Sequence, residues 1–229
     1  MNITEKVLRQ KQDFDDVYKA GKKAEYDAFW DSLLVNNDCS YRFGGTAWND
    51  TTFKPKRDII GLNNCISMFA NNMCTNIKGR LQEQGVKLDM SKATNVGQCF
   101  YYSSTLELPE IDLSNATIIG TVFAYSKVKS IDKVTFKDGM SFSNCFHNCL
   151  NLEEIRIGGM ISGSGFDIHW STKLTADSLA SIINALSTTT TGLTITLPST
   201  AQSNYESKYG SGSWATLTAT KSNWTIAYA

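Results

Sequence analysis

This chain of 229 residues has only two histidines and three prolines. Nowhere does an apolar run approach the roughly 20 residues that would span a bilayer, so no membrane insertion is expected. Lys plus Arg and Asp plus Glu stand at 22 each, with no strongly basic run. Nucleic-acid binding leans on neutralised phosphates, so that balance excludes a nucleic-acid partner. The opening Met1-Asn2-Ile3-Thr4-Glu5-Lys6 leads into polar sequence rather than an apolar leader, so no secretory signal is expected. A glycine-rich phosphate loop is also missing, and Gly163-Ser164-Gly165 is only a fragment of a nucleophile elbow.

The few histidines limit the chemistry further. His147 sits in a column with Tyr101 and Ala124, which makes no catalytic constellation. Asp167-x-His169 beside Trp170 would share one strand face, but no nucleophile accompanies the pair. Cys145-x3-Cys149 around His147 offers too few ligands for structural zinc. No catalytic residue, metal or cofactor is assigned. The six cysteines read as small, buried, reduced core residues, with Cys99 and Cys145 in the column that Val122 fills.

What the sequence does contain is a repeat. Phe100, Phe123 and Phe146 follow at intervals of 23 residues, as do Leu88, Ile111, Val134 and Ile157. A fixed period of this length marks a solenoid, whose coils bury their apolar sides only by stacking. Ile111-Asp112-Leu113 and Val134-Thr135-Phe136 alternate with a period of two, predicting short strands in a parallel ladder. Ile119, Val122 and Phe123, spaced three and four apart, predict about one helical turn on the opposite wall. Phe69 precedes Phe100 by 31 residues, so a short helical insertion is expected around Gly79 to Gly85.

The ends differ in kind. Residues Thr4 to about Leu34 form an expected helix with Val7, Phe14, Val17, Ala24 and Ala28 at heptad a and d positions, interrupted by Gln10 and Gly21. It either associates with copies of itself or folds back to cover the end of the stack. Tyr41, Phe43, Trp48 and Phe53 predict a packed, irregular cap, with an exposed, binding Trp48 as the alternative. Phe166 to Trp170 alternates like a strand. Thr175 caps a helix with Leu179, Ile182, Ile183 and Leu186 inward, then a strand at Leu193 to Leu197, two helical segments and a strand at Trp224 to Ala227 close the chain.

Phe146-His147-Asn148-Cys149-Leu150-Asn151-Leu152-Glu153-Glu154-Ile155-Arg156-Ile157 resembles the BspA-type (treponemal-type) leucine-rich repeat. Residues Lys19 to Asp31, Gly45 to Asp50 and Phe53 to Lys56, together with Ser181-Ile182-Ile183-Asn184-Ala185-Leu186, resemble repeat proteins of tailed phages and prophages of Gram-positive gut bacteria. The resemblance implies an α/β fold: a leucine-rich-repeat-like solenoid with coils of about 23 residues and short parallel strands, an N-terminal α-helix and a C-terminal α/β cap. The expected units are 1–35 (helix), 36–64 (aromatic cap), 65–170 (solenoid) and 171–229 (C-terminal cap). It also implies a non-enzymatic virion protein of the tail tip or baseplate, made in the host cytoplasm and acting in host binding or tail assembly. Its partners would be other virion proteins, further copies of itself through the N-terminal helix, and a host surface protein or glycan. A bacterial cell-surface adhesin is the alternative, since such repeats are also similar to those of surface proteins.

Within the coils, Tyr102, Tyr125 and Asn148 share one row beside Tyr101 and His147. This ridge is either a ligand surface, because aromatics anchor sugars and proteins, or a ladder that packs coil on coil.

Overall fold

The computed structural model describes residues 39–229, so the expected helix carrying Val7, Phe14, Val17, Ala24 and Ala28 lies outside the described residues. In chain order the elements are β1 (Ile59–Asn64), α1 (Ile77–Gln84), β2 (Leu88–Asn95), β3 (Glu107–Leu113), β4 (Ser130–Phe136), β5 (Glu154–Gly158), α2 (Ala176–Ala185), β6 (Leu193–Leu197), α3 (Ala201–Tyr209), α4 (Ser213–Ala219) and β7 (Trp224–Tyr228). Every pairing between these strands is parallel: β1 with β2, β3 with β4 and β5, and β6 with β7. The strands stack as a β-solenoid of about four turns within a mixed α/β fold. Leu108 pairs with Ile131 and Ile131 with Ile155, so the period-two alternation of each strand buries the same side of each coil.

The opposite wall is not helical, which corrects the expectation of a helical turn. It consists of consecutive tight turns whose amides alternate in destination. Tyr101 N and Ser103 N donate within their own coil, to Gln98 O at 3.0 Å and Phe100 O at 3.1 Å. Phe100 N and Tyr102 N donate to the next coil, to Val122 O at 2.8 Å and Ala124 O at 3.1 Å. A helix would spend all its amides internally, whereas here half of them stitch coil to coil. The geometry requires left-handed residues four apart, and they recur at Gln98 and Tyr102, Thr121 and Tyr125, Asn144 and Asn148, with φ from 52° to 58°. The inward triplet Ile119, Val122 and Phe123 fits turns of this kind as well as it fits a helix.

Thr121 is the odd member of that series. A β-branched residue at φ 55° is disfavoured by its Cβ, while Asn144 occupies the matching site one coil on at φ 52°. Thr121→Asn is therefore expected to stabilise the protein by about 0.5 to 1 kcal/mol, a fraction of the left-handed penalty. The denaturant midpoint of the variant checks it.

The same bonding begins at Tyr41 and Gly45, at φ 58° and 87°, and Phe43 N donates to Met68 O at 2.8 Å. The segment expected to be irregular thus bonds like the coils behind it. Phe43 opens a column of phenylalanines running through Phe69, Phe100, Phe123 and Phe146. Successive ring centroids lie 5.2, 5.1, 5.6 and 5.3 Å apart, with interplanar angles no larger than 20°. Phe166 follows at 5.7 Å but tilted by 52°. Trp48 is buried against Phe43 and Phe53, on the core side of the alternatives left open for it.

All six cysteines are buried and none forms a disulfide. Burial pushes the thiols of Cys74 and Cys149 up to about 12, and those of Cys99 and Cys145 well above their ordinary value. Since only thiolates attack disulfide reagents, the native protein is expected to react with none of the six at pH 8 and with all of them in denaturant. Counting labelled thiols by mass spectrometry decides this, and rapid native labelling would place a thiolate at the surface.

The 31-residue interval before Phe100 holds α1, which starts where Asn76 Oδ1 accepts Gly79 N at 2.7 Å and stops at left-handed Gly85. It is an insertion that buries Ile77 and Leu81 against the stack. At the other end, Thr175 caps α2, and Leu179, Ile182 and Ile183 face the core. Phe166 to Trp170 forms no strand, only the isolated bridge from Asp167 to Thr196. Ser178 and Ser181, one helical turn apart on α2, accept Ile155 N at 2.9 Å and Ile157 N at 2.8 Å. Two hydroxyls thereby take the place of a further strand at the edge of β5. Lys221 Nζ, almost fully buried, donates to the carbonyls of Asn184 and Leu186 at the end of the same helix.

Candidate functional site: an aromatic ridge

The turn wall places one residue of each coil just past its phenylalanine on the outer surface. Tyr102 and Tyr125 stack there at 4.8 Å and 9°. Tyr101 meets both rings edge-on, at 4.7 and 5.6 Å. His147 packs against Tyr125 at 5.2 Å. Asn148 holds the left-handed position of Tyr102 and Tyr125 in the next coil, but supplies an amide where they supply a ring. Four of the five residues expected at this surface are therefore joined ring to ring, and Asn148 keeps their backbone position.

The ridge runs further than its sequence row. Trp170 lies against His147 at 5.4 Å, and His169 against Trp170 at 4.7 Å. A step of 23 from His147 lands on Trp170, so the column of Tyr101, Ala124 and His147 continues into it. His169 stands one place off that column. Ser171 Oγ donates to Cys149 O and Lys173 Nζ to Asn151 Oδ1, each across 22 residues.

The chemistry of the ridge is amphipathic. Tyr102 is 49% exposed and Trp170 37%, so rings at both ends remain open to a partner while their neighbours are half-buried. Desolvation first, and then the phenols of Tyr102 and Tyr125, raise the Tyr101 hydroxyl above its ordinary value, so it stays protonated near neutrality and can donate a hydrogen bond. His169 Nδ1 sits 2.6 Å from Asp167 Oδ1, which also accepts His169 N at 3.1 Å. That carboxylate fixes the imidazole against Trp170. The expected Asp167 and His169 pair is thus formed, by a tight turn rather than by a strand face. Among the described residues, no group of three His, Cys, Asp or Glu side chains could hold a metal.

Fold and surface together define a parallel repeat solenoid with a continuous aromatic seam along one wall. The chain matches no protein-family model, no curated protein and no solved structure. No helix among the described residues is long and apolar enough to cross a membrane.

Proposed function

We propose that this is a non-enzymatic binding protein of a phage virion, placed at the tail tip or baseplate and acting in host binding or tail assembly through its aromatic ridge. The observation that carries the binding role is the ridge itself: six rings in mutual contact along successive coils, with Tyr102 and Trp170 open. Rigid rows of aromatics suit anchoring of a glycan or a protein loop, because the rings lose little conformational entropy on contact. The virion role rests on the sequence resemblance: BspA-type, leucine-rich-repeat-like coils of about 23 residues, an N-terminal helix for self-association and a closing α/β unit over 171–229. Other virion proteins, copies of the chain and a host surface protein or glycan are its partners. The chain is made in the host cytoplasm and needs no cofactor.

Two experiments test this. Trp170→Ala combined with Tyr102→Ala is expected to lower binding of the purified chain to host cells by roughly tenfold or more, as loss of aromatic anchors does, with the thermal midpoint nearly unchanged. Equal binding by the double variant removes the ridge from the function. Gold-labelled antibodies against the chain should mark the tail end of phage particles that encode it, and unlabelled particles would end the virion assignment. Light scattering on the full chain and on one starting near Asn36 reads the self-association: an oligomer that becomes a folded monomer assigns it to the N-terminal segment.

A further inference from the structure

On the outer face of the β3–β5 sheet, a cleft of about 830 Å3 opens beside α2, with six charged side chains in its lining: Glu110, Asp132, Lys133, Glu154, Arg156 and Asp177. Its floor carries a bulge. Ile131 pairs with Ile155 and Val134 with Ile157, so Asp132 and Lys133 together oppose the single residue Arg156. Bulges of this kind bend a strand and re-aim its side chains. Glu154 and Arg156 stand two residues apart on the exposed side of β5, with Cα atoms roughly 6.6 Å apart at strand rise.

Most of these charges are already matched. Lys133 lies 3.7 Å from Glu110, Lys78 of α1 holds Asp132 at 2.5 Å, and Lys208 of α3 holds Asp177 at 2.6 Å. Tyr209 donates to Asp177 as well. Among the described residues, Glu154 and Arg156 alone of the six make no direct ion pair; the Asp177 carboxyl is held low first by Lys208 and Tyr209, with a weaker pull from the Arg156 charge. One further donor lies beside them. Ser181 Oγ accepts Ile157 N, and the hydroxyl proton has no acceptor among the described residues.

The geometry points to a binding site for a small zwitterion that carries an ammonium group and an oxyanion, the ammonium on Glu154 and the oxyanion on Arg156 and Ser181. An ion of one sign gains from one of the two unpaired charges and is repelled by the other. A molecule carrying both signs gains from each. The guanidinium fork fits a phosphate or a carboxylate bidentately, so either oxyanion meets the requirement. The site lies on the strand face, apart from the aromatic ridge on the turn wall, and neither proposal depends on the other.

The test is a titration of the full chain, followed by the amide resonances of residues 154 to 157 at low salt. The probes are phosphoethanolamine, ethanolamine and inorganic phosphate, with β-alanine as the carboxylate zwitterion. The expected result is a dissociation constant for at least one zwitterion about tenfold or more below that of either single-charge probe. Whether phosphoethanolamine or β-alanine binds tighter identifies the oxyanion. Arg156→Gln should bring the zwitterion down to the affinity of ethanolamine, and Glu154→Gln to that of the lone anion. Both side chains are exposed, so the variants keep the wild-type midpoint. Zwitterions binding no tighter than the single-charge probes, or variants that bind as the wild type does, would overturn the assignment.

Discussion

Phe123→Ala is expected to lower the thermal midpoint by roughly 10 °C, from a cost of about 3 to 5 kcal/mol. The ring is fully buried between Phe100 at 5.6 Å and Phe146 at 5.3 Å, so its removal opens a void between two coils at once. The void cannot close by simple collapse. Phe123 N donates to Cys145 O and Phe100 N to Val122 O, and these bonds fix the spacing of the turn wall on both sides. Two aromatic contacts are lost with the ring, each worth about 0.5 to 1.5 kcal/mol beyond area. Phe123→Leu keeps much of the volume and should cost about half as much. Calorimetry of both variants decides the matter, and a shift below about 3 °C for the alanine would mean that the coils repack freely.

The second large effect is at Gly163, a residue with ordinary φ whose importance is purely spatial. A Cβ there would collide with the carbonyl oxygen of Met140 and stand 2.5 Å from its carbonyl carbon. The obstacle is backbone, so it cannot swing aside as a side chain would. Gly163→Ala should therefore cost about 3 kcal/mol or more, the upper end of overpacking penalties, and should disturb the adjoining contact of Phe142 with Phe166 at 5.0 Å. Gly139 provides the comparison. Its φ is 73° and nothing lies within 4 Å of its absent Cβ, so Gly139→Ala should cost only about 1 kcal/mol from backbone conformation. Denaturant midpoints give the order of the two variants, and equal costs would refute the close approach at Met140.

These two sites also mark where the sequence was informative. Phe123 announced itself through its interval, because a residue that fills the same gap in every coil must recur with the coil. Gly163 stood in the loop-like run Gly158 to Gly165 and showed no column, since a steric limit set by a distant carbonyl leaves no local pattern. The strands β3 and β4 were legible from alternation, and α2 from Thr175 and the stripe behind it. The turn wall was misread as helix because Ile119, Val122 and Phe123 carry a spacing that two conformations share. Only the left-handed residues separate them, and Thr121 and Tyr125 are types that do not advertise such a conformation. The first coil was hidden by unequal intervals, as Phe43 precedes Phe69 by 26 residues and Phe69 precedes Phe100 by 31. At the ridge, Tyr101, Tyr102, Tyr125, His147 and Asn148 followed from the period, Trp170 continues the column of Tyr101 and His147 at the same interval of 23 although its neighbours there are not all aromatic, and only His169 stands off the column.

A parallel stack whose rungs repeat every coil shares its logic with an amyloid fibril: any strand left open at the edge is a template on which another chain can add. The hydroxyls of Ser178 and Ser181 occupy the amides of Ile155 and Ile157 at that edge. A helix cannot pass the pairing on, so α2 makes the β3–β5 ladder a finite object. A rung can then be added to the ladder ahead of α2 without exposing a growing end.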